Sequence, residues 1–170
     1  MNKIFKYRMT GHLDGDFVVF MIGMRVNKWW KFWKWGPVAA AMPKMLIELA
    51  GNPELGLLHA RTFFGFPNIF VVQYWRSFEH LHAYAANPAR AHLPAWRAFN
   101  RAVASGGDVG IWHETYLVGD GAHESVYNNM PRWGLAAAGA HAPADGMFKS
   151  AKSWLGRAAK PAIKNPDLPA

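Results

Sequence analysis

Four runs of apolar, β-branched and aromatic residues constrain the fold of this sequence more than any other feature. They cover residues 16–26, 55–64, 68–75 and 109–118. Runs of this length and composition, bounded by Gly, Pro, Asn or Asp, are typical of β-strands. The first run is apolar at nearly every position, which indicates a strand that is buried on both faces. In the last run, strand alternation places His113 on one face and Glu114 on the other.

Helical signals occupy the segments between these strands. Pro37 suits the first turn of a helix over residues 37–50, and Pro43 should kink or split that helix. Ser77 is a suitable N-cap for a second helix, which should stop near Asn87-Pro88. An amphipathic stripe predicts a further helical piece over residues 91–104.

The predicted elements therefore follow the order β-α-β-β-α-β. Gly65-Phe66-Pro67 joins the second and third strands, and its length suits an antiparallel hairpin. This order is the split βαβ, or ferredoxin-like, arrangement, in which two helices pack on one face of a four-stranded antiparallel sheet. The sequence thus predicts an α+β domain over residues 16–120, an N-terminal extension over 1–15, and a C-terminal arm with a basic tail over 121–170. Because the strands carry aromatic residues on both faces, we expect a second copy to cover the open face in a homodimeric α+β barrel.

Positive charge is concentrated towards the ends of the chain. The formal net charge is +8, and residues 1–44 carry eight Lys or Arg against two Asp or Glu, whereas residues 45–144 carry six against seven. No nucleic-acid-binding motif accompanies this charge, so nucleic-acid binding is not expected. The absence of cysteine and of a Gly-rich phosphate loop disfavours thiolate and nucleotide-dependent chemistry. Neither a signal peptide nor a membrane-spanning stretch is recognised, which predicts a cytoplasmic protein.

Histidine is the main candidate for acid–base chemistry. His92 lies where the second predicted helix has ended at Asn87-Pro88 and the next helical piece begins. There it is either a general base or axial haem ligand, or an exposed helix residue. His113 and Glu114 are neighbours on one strand, so only one of them faces the interior. Glu114 either forms a structural ion pair with Arg25 or takes part in catalysis. The spacing of the eight histidines matches no zinc motif, so no metal site is expected.

Several aromatic residues are candidates for the wall of an apolar cavity that binds a small hydrophobic substrate. They are Phe20, Trp75, Tyr84 and Trp112. Aromatic rings at strand spacing more often belong to the hydrophobic core, and this alternative stays open.

A second aromatic group follows the first strand. The segment Trp29–Trp35 interleaves bulky rings with lysines, and Lys28 precedes it. It either contacts a membrane surface, as basic aromatic segments do, or buries its rings in the dimer while its lysines reach water. We favour burial in the dimer.

Four short segments carry a resemblance to known proteins: Ile22–Asn27, Tyr74–Leu81, His92–Asn100 and Gly110–Tyr116. They resemble a bacterial and fungal family of monooxygenase-like proteins that includes a member of the fumagillin pathway. The wider group of antibiotic-biosynthesis monooxygenases is similar in its strand, Ser-x-Glu, helix and His signature. The resemblance covers roughly residues 16–140 and implies a dimeric ferredoxin-like α+β barrel.

The resemblance also implies candidate chemistry. One branch of the group oxidises phenols or enols directly with dioxygen and uses no cofactor. In this chain, His92 or His113 would then be the base, while Asn27 and Arg25 would hold the developing anion. A haem-degrading branch uses an Asn, a helix Trp and a helix His; His92 matches the His, Asn27 matches the Asn loosely, and the Trp is absent.

These implications lead to one expectation and its alternatives. We expect a monooxygenase-like oxidoreductase that acts on a hydrophobic aromatic or terpenoid molecule, either without a cofactor or with haem. Aldoxime dehydratases bind haem on a similar barrel, so one alternative is a haem-dependent lyase. A non-catalytic protein that binds a hydrophobic ligand or haem is the further alternative.

Overall fold

The computed structural model describes residues 3–91, 96, 97, 99, 100 and 106–155. Trp96, Arg97, Phe99 and Asn100 are helical, and the predicted helical piece over 91–104 otherwise lies largely outside the described residues. Short 3-10 turns occupy Pro53–Leu55 and Gly146–Lys149. The other elements are β1 (Phe5–His12), β2 (Phe17–Val26), α1 (Phe32–Ala50), β3 (Leu57–Gly65), β4 (Asn68–Trp75), α2 (Phe78–Ala86), β5 (Val109–Val118), β6 (Tyr127–Met130), α3 (Leu135–Ala138), β7 (Ala140–Pro143) and α4 (Ala151–Leu155).

The main sheet has the strand order β3-β4-β2-β5, and every neighbouring pair is antiparallel. This topology confirms the predicted ferredoxin-like α+β fold. Ile22 of β2 lies opposite Val71 of β4 and His113 of β5, so these three side chains share one face of the sheet. That face, called the helix face below, packs against α1 and α2.

A hydrophobic cluster fills one half of the space between the helix face and the helices. It consists of Val18, Leu49, Trp75, Leu81 and Tyr84. Trp75 is only 1% exposed, and its indole N–H donates to Oε1 of Gln73 at 2.8 Å. Rings that are packed this tightly anchor α1 and α2 to the sheet.

Helix α1 differs from its prediction at its start and at Pro43. It begins at Phe32 rather than at Pro37, and it is a single helix through Pro43, so the predicted split is wrong. Contacts outside the helix fix the first turn, since Lys31 Nζ lies 3.1 Å from Asp108 Oδ1 and the Trp35 indole donates to the Trp29 carbonyl at 2.9 Å. Tertiary contacts of this kind override the local preference of proline for a first turn.

A second, three-stranded sheet joins the two ends of the described chain in the order β6-β1-β7. The Ser125 hydroxyl accepts from the Gly11 amide at 2.9 Å and donates to the Gly11 carbonyl at 2.8 Å. A Cβ atom on Gly11 would lie 2.3 Å from the Ala136 nitrogen, so only glycine fits where α3 crosses β1. The expected arm thus packs on the N-terminal extension of its own chain, while the boundaries 1–15, 16–120 and 121–170 stay a prediction.

No helix in the described part of the chain is both long and apolar enough to span a membrane.

Candidate functional site

An apolar cavity of about 340 Å³ lies between α1 and the helix face of the main sheet. Its floor comes from alternate residues of the strands, and its far wall includes Trp96 and Phe99. Aliphatic side chains dominate the floor: Ile22, Met24, Ile69, Val71 and Ile111. A cavity of this size and lining is suited to a small hydrophobic molecule.

The cavity lies beside a second buried cluster, formed by Met24, Val26 and Val109, where α1 carries several short side chains. Ala39 and Ala41 lie on the cavity wall together with Pro37 and Pro43. These short side chains leave space above the sheet, whereas the large rings of Trp75 and Tyr84 fill the other half. Short α1 side chains thus border the cavity, whereas rings from β4 and α2 fill the rest of the interface.

Two polar residues stand out among the described cavity residues, Thr62 and Lys34. Thr62 lies opposite Val71 in the β3–β4 ladder and so belongs to the helix face. Within the described structure its hydroxyl makes no hydrogen bond, which leaves it available to orient a bound molecule. Lys34 brings a cation to the same lining. The sequence analysis missed both residues, although counting alternate positions along β3 would have placed Thr62 on this face.

His113 lies on the helix face at the border of the cavity. It is opposite Ile22 and two residues from Ile111, both of which line the cavity. Its ring centroid is 5.7 Å from that of Phe20, and its side chain is exposed. The strand register thus answers the question left by the sequence, because it places His113 rather than Glu114 on the cavity side of β5.

Glu114 lies on the opposite face, and the predicted ion pair with Arg25 is wrong. The β2–β5 register places Glu114 opposite Met21 and Arg25 opposite Gly110, which puts the two charges four residues apart along the ladder. Glu114 instead accepts a hydrogen bond from the Tyr116 hydroxyl at 2.5 Å. This hydrogen bond to a carboxylate raises the pKa of Tyr116.

Asn27 is occupied by a structural role at the end of β2. Its side-chain Nδ2 donates to the Gly107 carbonyl at 3.1 Å, and its backbone amide donates to the Asp108 carbonyl at 3.1 Å. Neither Asn27 nor Arg25 lines the described cavity. The structure therefore does not bring these two residues together with His113, and His92 lies outside the described residues.

The four aromatic candidates divide between core and sheet faces. Trp75 and Tyr84 belong to the buried cluster, as the alternative interpretation of the sequence expects. Phe20 packs against the same cluster and beside His113. Trp112 lies opposite Gly23, on the face of the sheet away from the helices.

Glu48 is a half-buried charged residue that was not predicted from the sequence to belong to the site. Its Oε2 accepts from the Tyr84 hydroxyl at 2.8 Å and from the Ala91 amide at 3.1 Å, and Arg90 lies 3.6 Å from its Oε1. Burial would raise the pKa of Glu48, but these hydrogen bonds and the Arg90 charge lower it overall. Burial and the same carboxylate raise the pKa of Tyr84. Glu48 thus ties α1 to α2 and to the backbone of Ala91, the residue that precedes His92.

The described lining does not by itself fit a haem. Among the described cavity residues there is no His, Cys or Tyr, and the only sulfur atoms belong to Met24, Met42 and Met45. The Asn27 amide, which the haem-degrading branch would use, is bound to Gly107. The described residues also contain no group of three or more His, Cys, Asp or Glu that could hold a metal ion.

Known proteins resemble this chain in sequence and in fold. Monooxygenase af470 of Aspergillus fumigatus is 35% identical over 131 residues, which cover 68% of this chain and 43% of the fungal protein, so the chain spans less than half of that relative. The cofactor-independent oxygenase SnoaB of Streptomyces nogalater is 13% identical with a TM-score of 0.43, over 59% of this chain and 91% of SnoaB. A dimeric ferredoxin-like protein of unknown function from Jannaschia is 19% identical with a TM-score of 0.41, over 57% of this chain and 97% of that protein.

A sequence profile decides the family. The profile of the monooxygenase af470-like family matches residues 17–135. The matched span runs from the first residue of β2 to the first residue of α3, and so includes the whole main sheet and the described cavity. The chain belongs to the monooxygenase af470-like family.

Proposed function

We propose that this protein is a monooxygenase that oxidises a small hydrophobic aromatic or terpenoid molecule with dioxygen and without a cofactor. The observation that carries the proposal is the apolar cavity of about 340 Å³ whose described lining offers few polar groups besides Thr62 and Lys34. Such a lining excludes water around a bound substrate, and its polar groups orient that substrate.

A substrate with an acidic C–H or O–H group supports chemistry of this kind. His113, or His92, removes the proton, and the resulting anion passes one electron to dioxygen. The substrate radical and superoxide then combine to a peroxide anion, which takes the proton back from the histidine. The resulting hydroperoxide loses water, with the hydrogen of its remaining C–H bond, and leaves a carbonyl group. One oxygen atom enters the product and the other leaves in water, so a CH₂ group is oxidised to C=O with no further reductant. Lys34 supplies positive charge for the anion in place of Arg25 and Asn27.

Oxygen uptake with anthrone-like substrates tests the proposal. Replacement of the base, His113→Ala or His92→Ala, should lower the rate roughly 100-fold, as expected for loss of a general base. His82→Ala is the matched control, because His82 is exposed on α2 and does not line the cavity. Wild-type rates of oxygen uptake in all three variants would refute a role for either histidine.

An absorption spectrum of the purified protein separates the alternatives. A colourless protein with oxygen uptake supports cofactor-free oxidation. A Soret band that disappears in His92→Ala would replace that mechanism with a haem-dependent one. Tight binding of an apolar dye with no oxygen uptake on any substrate would indicate a ligand-binding protein instead.

We also propose a homodimer that pairs through the face of the main sheet opposite the helices. Val19, Met21 and Val72 lie on that face and are only half-buried in the single chain. Apolar surface of this kind is usually covered by a partner. Sedimentation velocity should give a dimer, and a monomer at micromolar concentration would contradict the assembly.

A further inference from the structure

Five aromatic side chains at one end of the molecule are more than half exposed in the single chain. This group, here called the aromatic rim, consists of Trp29, Trp30, Phe32, Trp33 and Phe66. Soluble surfaces rarely expose so many large rings together, and such patches usually mark an interaction site.

Hydrogen bonds bring the segments of the rim to one end of the main sheet. The Val26 amide donates to the Pro67 carbonyl at 2.8 Å, which joins the end of β2 to the β3–β4 hairpin beside Phe66. Lys28 and Lys31 lie 2.9 Å and 3.1 Å from Asp108 Oδ1, which joins the start of α1 to the residue before β5. The segments of the rim therefore lie together at this end, where Trp29 contacts Trp30 and Phe32 contacts Trp33.

The cavity opens beside this surface. Trp33 belongs to the rim and also lines the cavity. Phe64 of β3, which is highly exposed, lines the cavity too. Pro37 and Pro43 line the cavity as well and are exposed on α1. Residues that are exposed and also line a cavity form its entrance, so a ligand enters past the rim.

The charge around the rim is positive. Residues 25–44 contain five Lys or Arg and no Asp or Glu. Asp108 neutralises part of this charge through Lys28 and Lys31, while exposed Arg25 and Lys44 form no ion pair within the described structure. Basic residues with exposed tryptophans match a surface of anionic lipid headgroups, where rings lie at the headgroup level and cations reach phosphates. A second protein copy is a poorer match, because lysine is depleted from protein interfaces and like charges would face each other.

We propose that the aromatic rim docks on an anionic lipid surface and that the apolar substrate enters the cavity from this surface. The docking rests on the exposed rings and the charge, whereas the loading route also rests on the proposed function. A hydrophobic substrate partitions into lipid, so an entrance at the lipid surface gives it a path that avoids bulk water.

Vesicle sedimentation of the full-length protein tests the docking without substrate. Wild-type protein should sediment with vesicles of phosphatidylserine and phosphatidylcholine, and less with phosphatidylcholine alone or at high salt. The triple variant Trp29→Ser, Trp30→Ser and Phe66→Ser should lose roughly tenfold or more in affinity, because the burial of three rings is removed. Lys44→Gln should lose about fivefold, the effect of one cation near an anionic surface.

Leu117→Ser is the matched control, since Leu117 is 72% exposed but lies at the opposite end of the main sheet. Its affinity for vesicles should equal that of wild type. Wild-type protein that stays in the supernatant with both vesicle types would overturn the docking. A triple variant that binds vesicles as tightly as wild type would also overturn it. A triple variant that changes from dimer to monomer, while wild type does not bind vesicles, would show that the rim is a dimer interface instead.

Oxygen uptake distinguishes a failure of docking from a failure of the proposed function. Trp29, Trp30 and Phe66 do not line the described cavity. The triple variant should therefore oxidise a dissolved substrate at the wild-type rate and lose activity only on substrate supplied in vesicles. An equal loss of activity on dissolved substrate and on substrate in vesicles would contradict loading from lipid. Vesicle binding by a wild-type protein that takes up no oxygen would refute the proposed function and leave the docking intact.

Discussion

Removal of the Tyr84 hydroxyl should destabilise the fold by a predictable amount. Tyr84 is 4% exposed and donates to the Glu48 carboxylate at 2.8 Å. A hydrogen bond to a charged group contributes roughly 1.5–3 kcal/mol, and the substitution leaves the ion pair between Arg90 and Glu48 Oε1 in place. For a chain of this size, about 1 kcal/mol corresponds to about 2–4 °C, so Tyr84→Phe should lower Tm by about 3–12 °C.

The pH dependence of the same interaction has a definite sign. The folded-state pKa of Glu48 is lowered, so the carboxylate contributes its stability above its unfolded pKa and loses it as the pH falls through the folded pKa. The difference in Tm between wild type and Glu48→Gln should therefore shrink as the pH is lowered from neutrality to about 3. Thermal unfolding followed by circular dichroism measures both effects.

A double-mutant cycle decides whether the two residues act together. Tyr84→Phe and Glu48→Gln should be non-additive by roughly 1 kcal/mol or more, because each removes the same hydrogen bond. Glu54→Gln is the control, since Glu54 is exposed and has no partner among the described residues. Additive effects, or a Tm difference that is equal at neutral and acidic pH, would refute the reasoning.

Two further substitutions test the packing of the sheets. Gly23→Ala places a Cβ 2.7 Å from Phe70 Cβ and from the Trp112 ring, so the free energy of unfolding measured by urea titration should fall by roughly 1–3 kcal/mol. An unchanged urea midpoint would show that the sheet relaxes freely around the new methyl group. Ser125→Ala removes both hydrogen bonds to Gly11, so amide hydrogen exchange in β1 should become faster while exchange in β4 stays the same. Equal protection of β1 in wild type and in Ser125→Ala would contradict the anchoring role of Ser125.

The main sheet was predictable from the sequence because its strands are long and its patterns are local. Each of β2, β3, β4 and β5 is at least eight residues long, and most of its residues are apolar or aromatic. The second sheet was not predictable, since β6 and β7 have four residues each and carry too short a pattern to reveal their period. Its pairing also joins distant segments, since Met9 of β1 lies opposite Tyr127 of β6.

The candidate site was predictable only in its general character. Strand alternation correctly leaves one of His113 and Glu114 facing inward, but choosing between them requires the ladder register. The large rings of Trp75 and Tyr84 suggested a cavity where the structure has a filled core. The space arises instead beside Ala39 and Ala41, whose small side chains are typical of any helix and carry no signal for a cavity.

The sheet β6-β1-β7 sets a lower limit on the length of a working version of this protein. Only β6 lies within residues 17–135, while its pairing partner β1 and the third strand of the sheet, β7, lie outside this span. A shortened chain restricted to residues 17–135 would keep β6 as a four-residue strand with unpaired backbone amides and carbonyls. Such an exposed edge invites pairing between molecules, so we expect a chain trimmed to the shared region to aggregate rather than to fold as a smaller domain.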